Sequence, residues 1–252
     1  MDMLLNGKVA VIYGAGGSIG GAVARTFARE GARVFLAGRT RAKLDKVAEE
    51  IRSAGGVAET ASVDALDERA VDTYVDAVAE QAGRIDVSFN LISHGDVQGI
   101  PLVEMSIEDF TRPISTAVRT HFLTTRAAAR HMIRQGSGVV LALGGTTDPI
   151  PLLGGLRATF DVIESLRRQW ACELGPHGVR VVSLKTAGVP ETLPDTFAER
   201  DDIIAGIEQA ALLNRTATLA DVGNMAAFVA SDQARTMTAA TVNITCGAIM
   251  DY

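Results

Sequence analysis

The sequence predicts a doubly wound α/β fold: one mostly parallel, seven-stranded sheet with helices on both faces, in a single domain over residues 1–252. Three observations lead there. Short apolar runs alternate with helix-like segments along the chain. The runs are continuously hydrophobic, as strands covered on both faces are. The first run leads into a glycine-rich turn and then an apolar-periodic helix. A strand–helix alternation this regular implies right-handed crossovers.

Taken in order, strands are expected at Val9–Tyr13, Arg33–Ala37, Val57–Val63, Val87–Ile92, Val139–Leu143, Val179–Leu184 and Thr241–Ile244. Helices are expected between them at Ser18–Glu30, Arg41–Ala54, Asp67–Gln81, Ile114–Arg134, Gly154–Leu174 and Leu219–Ala230. No Pro/Gly/Ser-rich linker, internal repeat or low-complexity tract divides the chain. The least regular stretch is 186–213, with Pro190 and Pro194 near its start. Loops at the carboxyl ends of such strands bind ligands, so this stretch is read as a lid or substrate-binding insertion. The competing reading is a helical excursion serving packing or oligomer contacts.

Composition bounds the partners. Hydrophobic residues make up 47% and charged residues 21% of 252 residues, which suits one globular domain with a large core. The net charge is −6, lysine is confined to Lys8, Lys43, Lys46 and Lys185, and the arginines are scattered. No basic stripe could neutralise a phosphate backbone, which argues against nucleic acid. Cys172 and Cys246 show no metal-ligand or C-x-x-C spacing and are read as two reduced core thiols. No HExxH pair or other metal site is found. The N-terminus has no basic leader region and no apolar run reaches membrane-spanning length. A soluble, cytoplasmic protein is expected, with no membrane partner.

The first turn reads Gly14-Ala15-Gly16-Gly17-Ser18-Ile19-Gly20-Gly21. Glycines there let the backbone bring its N–H groups and a helix N-terminus against a pyrophosphate. The alternative is a plain strand–helix turn. After the second strand, Gly38 stands where an NAD-selective site carries a carboxylate for the ribose 2′-hydroxyl, and Arg39-Thr40 follow. A guanidinium can grip a 2′-phosphate bidentately, which favours NADP(H) over NAD(H). The alternative is that Arg39 and Arg41 are solvated helix-start charges.

These features, in this order, resemble the short-chain dehydrogenase/reductase family of Rossmann-type, nicotinamide-dependent oxidoreductases. The first turn matches the family's T-G-x-x-x-G-x-G with Tyr13 for Thr and Ser18 for the middle Gly. Asp64-Ala65 after the third strand match the Asp that contacts adenine. Asn90 opens a weakened N-N-A-G motif. Ala227–Asp232 is similar to F-L-A-S-D, and Thr245-Cys246-Gly247 takes the D-G-G place. Gly188 follows a lengthened R-V-N-x-x-x-P-G, and Thr192 lies where the family's Thr holds the nicotinamide amide. The resemblance implies Gly14, Gly16, Gly17, Ser18, Ile19, Gly20, Arg39, Thr40, Asp64, Ala65, Asn90, Gly188 and Thr192 as cofactor contacts. It also implies a homo-oligomer, tetramer or dimer.

The family's reaction uses Tyr as acid, Lys four residues later, Ser as orienter and an Asn relay. Counting back from Ala171-Cys172-Glu173-Leu174 puts Leu156 at the Tyr position and Phe160 at the Lys position. Leu143 and Gly144 fill the Ser positions and Ala117 the Asn position. None of the four polar roles is filled in place. Substitutes expected at the same sheet edge are His94, with Asp96 nearby, and Thr146, Thr147 and Asp148. His94 has the ordinary pKa closest to neutrality, and Thr146 could orient substrate. The competing readings are a surface histidine and an ordinary turn. His121 and His131 are expected at an interface or in solvent, and Asp161 and Glu164 to face elsewhere or an oligomer partner. Tyr252 supplied by a neighbouring subunit is a further candidate acid.

The preferred reading is an atypical NADP(H)-dependent oxidoreductase acting on a rather apolar small molecule. The alternatives are a non-redox cyclase, isomerase or lyase on the same scaffold, and a catalytically silent binding subunit.

Overall fold

The computed structural model describes residues 3–145, 149–193, 196 and 200–250. Seven strands form one sheet: β1 (Val9–Tyr13), β2 (Arg33–Gly38), β3 (Val57–Ser62), β4 (Val87–Asn90), β5 (Gly138–Gly144), β6 (Val179–Lys185) and β7 (Ala240–Asn243). Their spatial order is β3-β2-β1-β4-β5-β6-β7, and every pair is parallel. The helices are α1 (Ser18–Arg29), α2 (Arg41–Ser53), α3 (Glu68–Ala82), α4 (Ile107–Gln135), α5 (Leu156–Leu174), α6 (Arg200–Ala210) and α7 (Leu219–Ala230).

β1 shows why the strands read as continuous apolar runs. Ala10 and Ile12 enter a core shared with α1, α2 and α7. Val9, Val11 and Tyr13 enter the opposite core, shared with α3, α4 and α5. Both faces of the strand are dry, so alternation carries no advantage.

α4 begins well before the expected Ile114. Ser106 caps it, its hydroxyl accepting from the Asp109 N–H at 3.0 Å, and the helix then runs through Pro113. Proline inside a helix forgoes one hydrogen bond. Here Pro113 is buried against the start of α5, where a Cβ on Gly155 would lie 3.1 Å from its Cγ and 2.0 Å from the Phe110 carbonyl oxygen. Close approach of the two helix starts explains the glycine and holds the proline in place. β4 ends at Asn90, short of the expected Ile92.

The stretch 186–213 contains a 3-10 turn, Pro190–Thr192, and α6, which buries none of its residues. α6 touches the strand ends through Ile207, whose Cδ1 lies 2.8 Å from where a Cβ on Gly188 would be. Gly188 has φ of 134°, a conformation that glycine tolerates best. Among the described residues no helix is long and apolar enough to cross a membrane.

Candidate active site

Parallel pairing brings the carboxyl ends of all seven strands to one edge. β2 and β3 extend to one side of β1, and β4 to β7 to the other. The chain therefore reverses its direction of growth between β1 and β4, where such sheets open a ligand crevice.

The glycine turn sits at that crevice. Gly14 has φ of 73°, and a Cβ on it would lie 2.3 Å from the Leu91 carbonyl oxygen. One on Gly20 would lie 2.2 Å from the carbonyl oxygen of Gly14, and one on Gly16 2.9 Å from Cβ of Lys43. These three glycines allow the turn to close on itself and on α2. α1 then opens at Ser18 behind Gly17, with no side-chain cap and no acidic residue in its first turn. Ile19 packs against the core, leaving only its backbone for a ligand. An uncapped, uncompensated helix start is a ready anion site, so the turn fits a pyrophosphate.

Beside it, Arg39 and Thr40 are exposed after β2. Arg41 is held by Asp45 at 2.8 Å, whereas the Arg39 side chain makes no hydrogen bond among the described residues. The two arginines thus separate into one structural and one available cation. Asp64 is exposed, and its carboxylate accepts from the Leu66 N–H at 3.0 Å, while Ala65 is buried. Asn90 braces the turn after β4: its Oδ1 accepts from the Ile92 N–H at 3.0 Å, and its Nδ2 donates to Thr124 at 3.5 Å. The Thr192 hydroxyl donates to the Val189 carbonyl at 2.7 Å, leaving only its acceptor capacity for a ligand.

Further along the edge the site turns apolar. Ala117, Ala142 and Ile163 form a buried cluster with Phe160 packed on it. The Phe160 ring covers Gly145, where a Cβ would lie 2.4 Å from the ring. Leu156 is half-buried one turn earlier on α5. Leu143 packs on the opposite core. Gly144 faces α5, its Cβ direction leading to Glu164 at 3.8 Å. Of the two positions expected for Ser, the one facing the site therefore has no side chain.

A family model described as enoyl-(acyl carrier protein) reductase matches residues 14–248. The chain belongs to the short-chain dehydrogenase/reductase family. It is 30% identical over 246 residues to an uncharacterised oxidoreductase of Methylorubrum extorquens, covering 96% of this chain and 98% of that protein. It is 32% identical over 260 residues to a meso-2,3-butanediol dehydrogenase of Serratia marcescens, covering 98% and 96%. A short-chain type dehydrogenase/reductase from Mycobacterium ulcerans superposes with a TM-score of 0.90 at 25% identity, covering 97% of this chain and 90% of that one.

Within this family member, several side chains lie elsewhere than expected. His121 is only 6% exposed, because α4 turns it inward on the same face as Ala117. Its ring centroid is 6.0 Å from that of His94. Burial, and secondarily His94, push its pKa down to about 3. His94 is half-buried, and its Nε2 is shielded without a hydrogen-bond partner. Burial lowers its pKa, with Asp96 opposing. His131 pairs with Asp76 of its own chain at 2.7 Å. Thr146, Thr147, Asp148 and Tyr252 lie outside the described residues.

Glu164 faces the sheet instead of solvent or a partner. Ser183 of β6 donates to its Oε1, Thr241 of β7 donates to its Oε2 at 2.7 Å, and Arg167 pairs with it at 3.0 Å. Asp161 points outward and pairs with Arg157. Cys172 is exposed and Cys246 half-buried, so neither is the core thiol expected. Lys185, only 9% exposed, closes β6. The Glu164 cluster and the buried positions of His121 and Lys185 are what sequence reasoning missed near this edge. Alternation within β6 was the available signal, since Ser183 and Lys185 share one strand face. Among the described residues, no three His, Cys, Asp or Glu side chains gather as metal ligands would.

Proposed function

We propose that this chain is a NADP(H)-dependent oxidoreductase that converts a rather apolar small molecule without the family's tyrosine acid. The observation that carries the proposal is the contrast along one edge. An open helix start and an available Arg39 stand at one end, and Leu156, Phe160 and Ala117 at the other.

A bound nicotinamide would supply or take the hydride. The N–H groups around Gly16, Gly17, Ser18, Ile19 and Gly20 hold the pyrophosphate, with Gly14 shaping the turn. Arg39, with Thr40 beside it, holds a 2′-phosphate. Asp64-Ala65 border the adenine, and Asn90, Gly188 and Thr192 shape the far half. Leu156 and Phe160 exclude water and favour an apolar substrate. Losing a positioned acid costs about 3–5 kcal/mol of barrier, whereas positioning of the reactants contributes on the order of 7–11 kcal/mol. A substantial rate therefore survives the missing tyrosine. His94, neutral near pH 7 because burial lowers its pKa, accepts a proton from an alcohol. Thr146 and Asp148, outside the described residues, are further polar candidates by sequence. α6, resting on Gly188 through Ile207, serves as the lid over this half. The working form is a homo-oligomer. The non-redox and silent-subunit readings are not favoured, since the relatives named above are an oxidoreductase and a dehydrogenase.

Titration with NADPH and NADH, followed by nicotinamide fluorescence, tests this. NADPH should bind the tighter, and Arg39→Ala should weaken NADPH by roughly 10–100-fold while leaving NADH almost unchanged. Binding of neither dinucleotide would sink the proposal.

A further inference from the structure

We infer that the substrate is an uncharged amphiphile whose hydrocarbon tail leaves the reaction centre across an apolar rim on the loops that follow β4 and β5; this rests on the NADP(H) oxidoreductase reading above. Both loops leave the carboxyl edge of the parallel sheet. They are joined to each other. The Gly99 N–H donates to the Leu152 carbonyl at 2.9 Å. Gly154 fits so closely that a Cβ on it would lie 2.6 Å from the Val97 carbonyl oxygen and 2.7 Å from Cε of Met105. The two loops thus form one preformed surface, which lowers the ordering cost of a ligand settling on it.

That surface is apolar where it meets water. Val103 is 95% exposed, and Leu102 and Ile107 near it are exposed as well. Across the Gly99–Leu152 bond, so are Ile150 and Leu152. Single exposed apolar side chains need no explanation, but five on two joined loops mark an interaction surface. Leu152 sharpens the point. Its φ is 67°, a left-handed conformation that costs leucine free energy and that asparagine visits more readily. A leucine held there and 47% exposed serves the fold poorly by backbone and by burial alike. What it offers is an apolar side chain facing outward.

Two observations choose the occupant. The first is continuity. The Leu156 N–H donates to the Leu153 carbonyl at 3.2 Å, so the chain turns from Leu152 straight into α5. Leu156 opens that helix, and Phe160 lies about 6 Å further along it at 1.5 Å per residue. Rim and inner wall therefore make one apolar path. The second is charge. Glu104 and Glu108, both exposed, directly follow Val103 and Ile107, and Arg112 on the next turn of α4 is tied to Asp109. Acidic neighbours repel an anionic head group and an anionic bilayer alike. A neutral chain with its alcohol or carbonyl carbon at the inner end suits both observations.

The test is calorimetric titration of the NADP+-saturated protein with hexan-2-ol and decan-2-ol. Affinity should rise roughly two- to fourfold with each added methylene. Leu152→Asn should lower the ratio of the two affinities by about threefold, and adding Leu102→Ser by roughly tenfold. Because asparagine accepts the left-handed backbone, the urea midpoint of Leu152→Asn should equal or exceed that of wild type. A fallen midpoint with an unchanged ratio would make Leu152 structural and overturn the inference. So would an unchanged ratio in the double variant, whether the rim then proved to hold neutral phosphatidylcholine vesicles or a second copy in sedimentation. Wild type that binds neither NADP+ nor NADPH would instead end the oxidoreductase reading.

Discussion

His121 takes up protons more readily unfolded than folded. Its folded pKa lies near 3, through burial first and His94 second, against an ordinary value of 6.5. The unfolded chain therefore binds more protons between those values, and stability falls as pH drops through that window. From pH 7 to pH 5 this histidine alone should remove about 2 kcal/mol. His121→Leu should flatten that part of the profile, read by urea denaturation at the two pH values. An equal loss in wild type and variant would show that other groups dominate. His94 shifts in the same direction, so its share of the dependence has the same sign.

Besides its apolar packing, α5 is tied to the last two strands by the Glu164 carboxylate. Glu164 gathers a hydroxyl from each of the last two strands and the guanidinium of Arg167. Glu164→Ala would leave that guanidinium buried without its partner, at a cost of about 3–5 kcal/mol. Glu164→Gln, which keeps acceptors for both hydroxyls, should cost less, and chemical denaturation ranks the two. An alanine variant as stable as wild type would mean that the cluster contributes nothing.

The elements were legible to different degrees for physical reasons. α7 matched its expected bounds because Thr218 and Asp221 form a capping box at its start, and Ser231 ends it. α4 did not, because Pro113 looks like a helix start. The true cap is Ser106, three residues before Asp109. The glycine turn was readable because its chemistry is local. Glu164, Ser183 and Thr241 were not, since their partnership spans 77 residues and exists only once β6 and β7 lie side by side. His121 was misjudged for a related reason: which face of α4 is dry depends on α5 and β5.

At the scale of the molecule, polarity is divided along one edge, and the outer helices leave apolar surface uncovered. Phe122 on α4 is 42% exposed, stacked on Trp170 of α5 at 5.6 Å, with Val118 exposed one turn earlier. Arg126 adds a cation 5.8 Å from the Phe122 ring centroid. This α4–α5 surface suits the proposed homo-oligomer. Phe122→Asp should convert it to monomer in sedimentation velocity, while an unchanged oligomer would move the interface elsewhere, with Leu212, Leu213 and Met250 as another set of exposed apolar residues.

The carboxylate that fastens α5 also bears on the order of events during synthesis. Residues 156–174 are made before β7: Thr241, one of the hydroxyls that Glu164 needs, is translated 77 residues after Glu164. Until β7 arrives, Glu164 and Arg167 face a half-built pocket beside β6, and the helix carrying Leu156 and Phe160 lacks its last anchor. The helix that carries Leu156 and Phe160 therefore completes its polar contacts with the sheet only after β7 has been made.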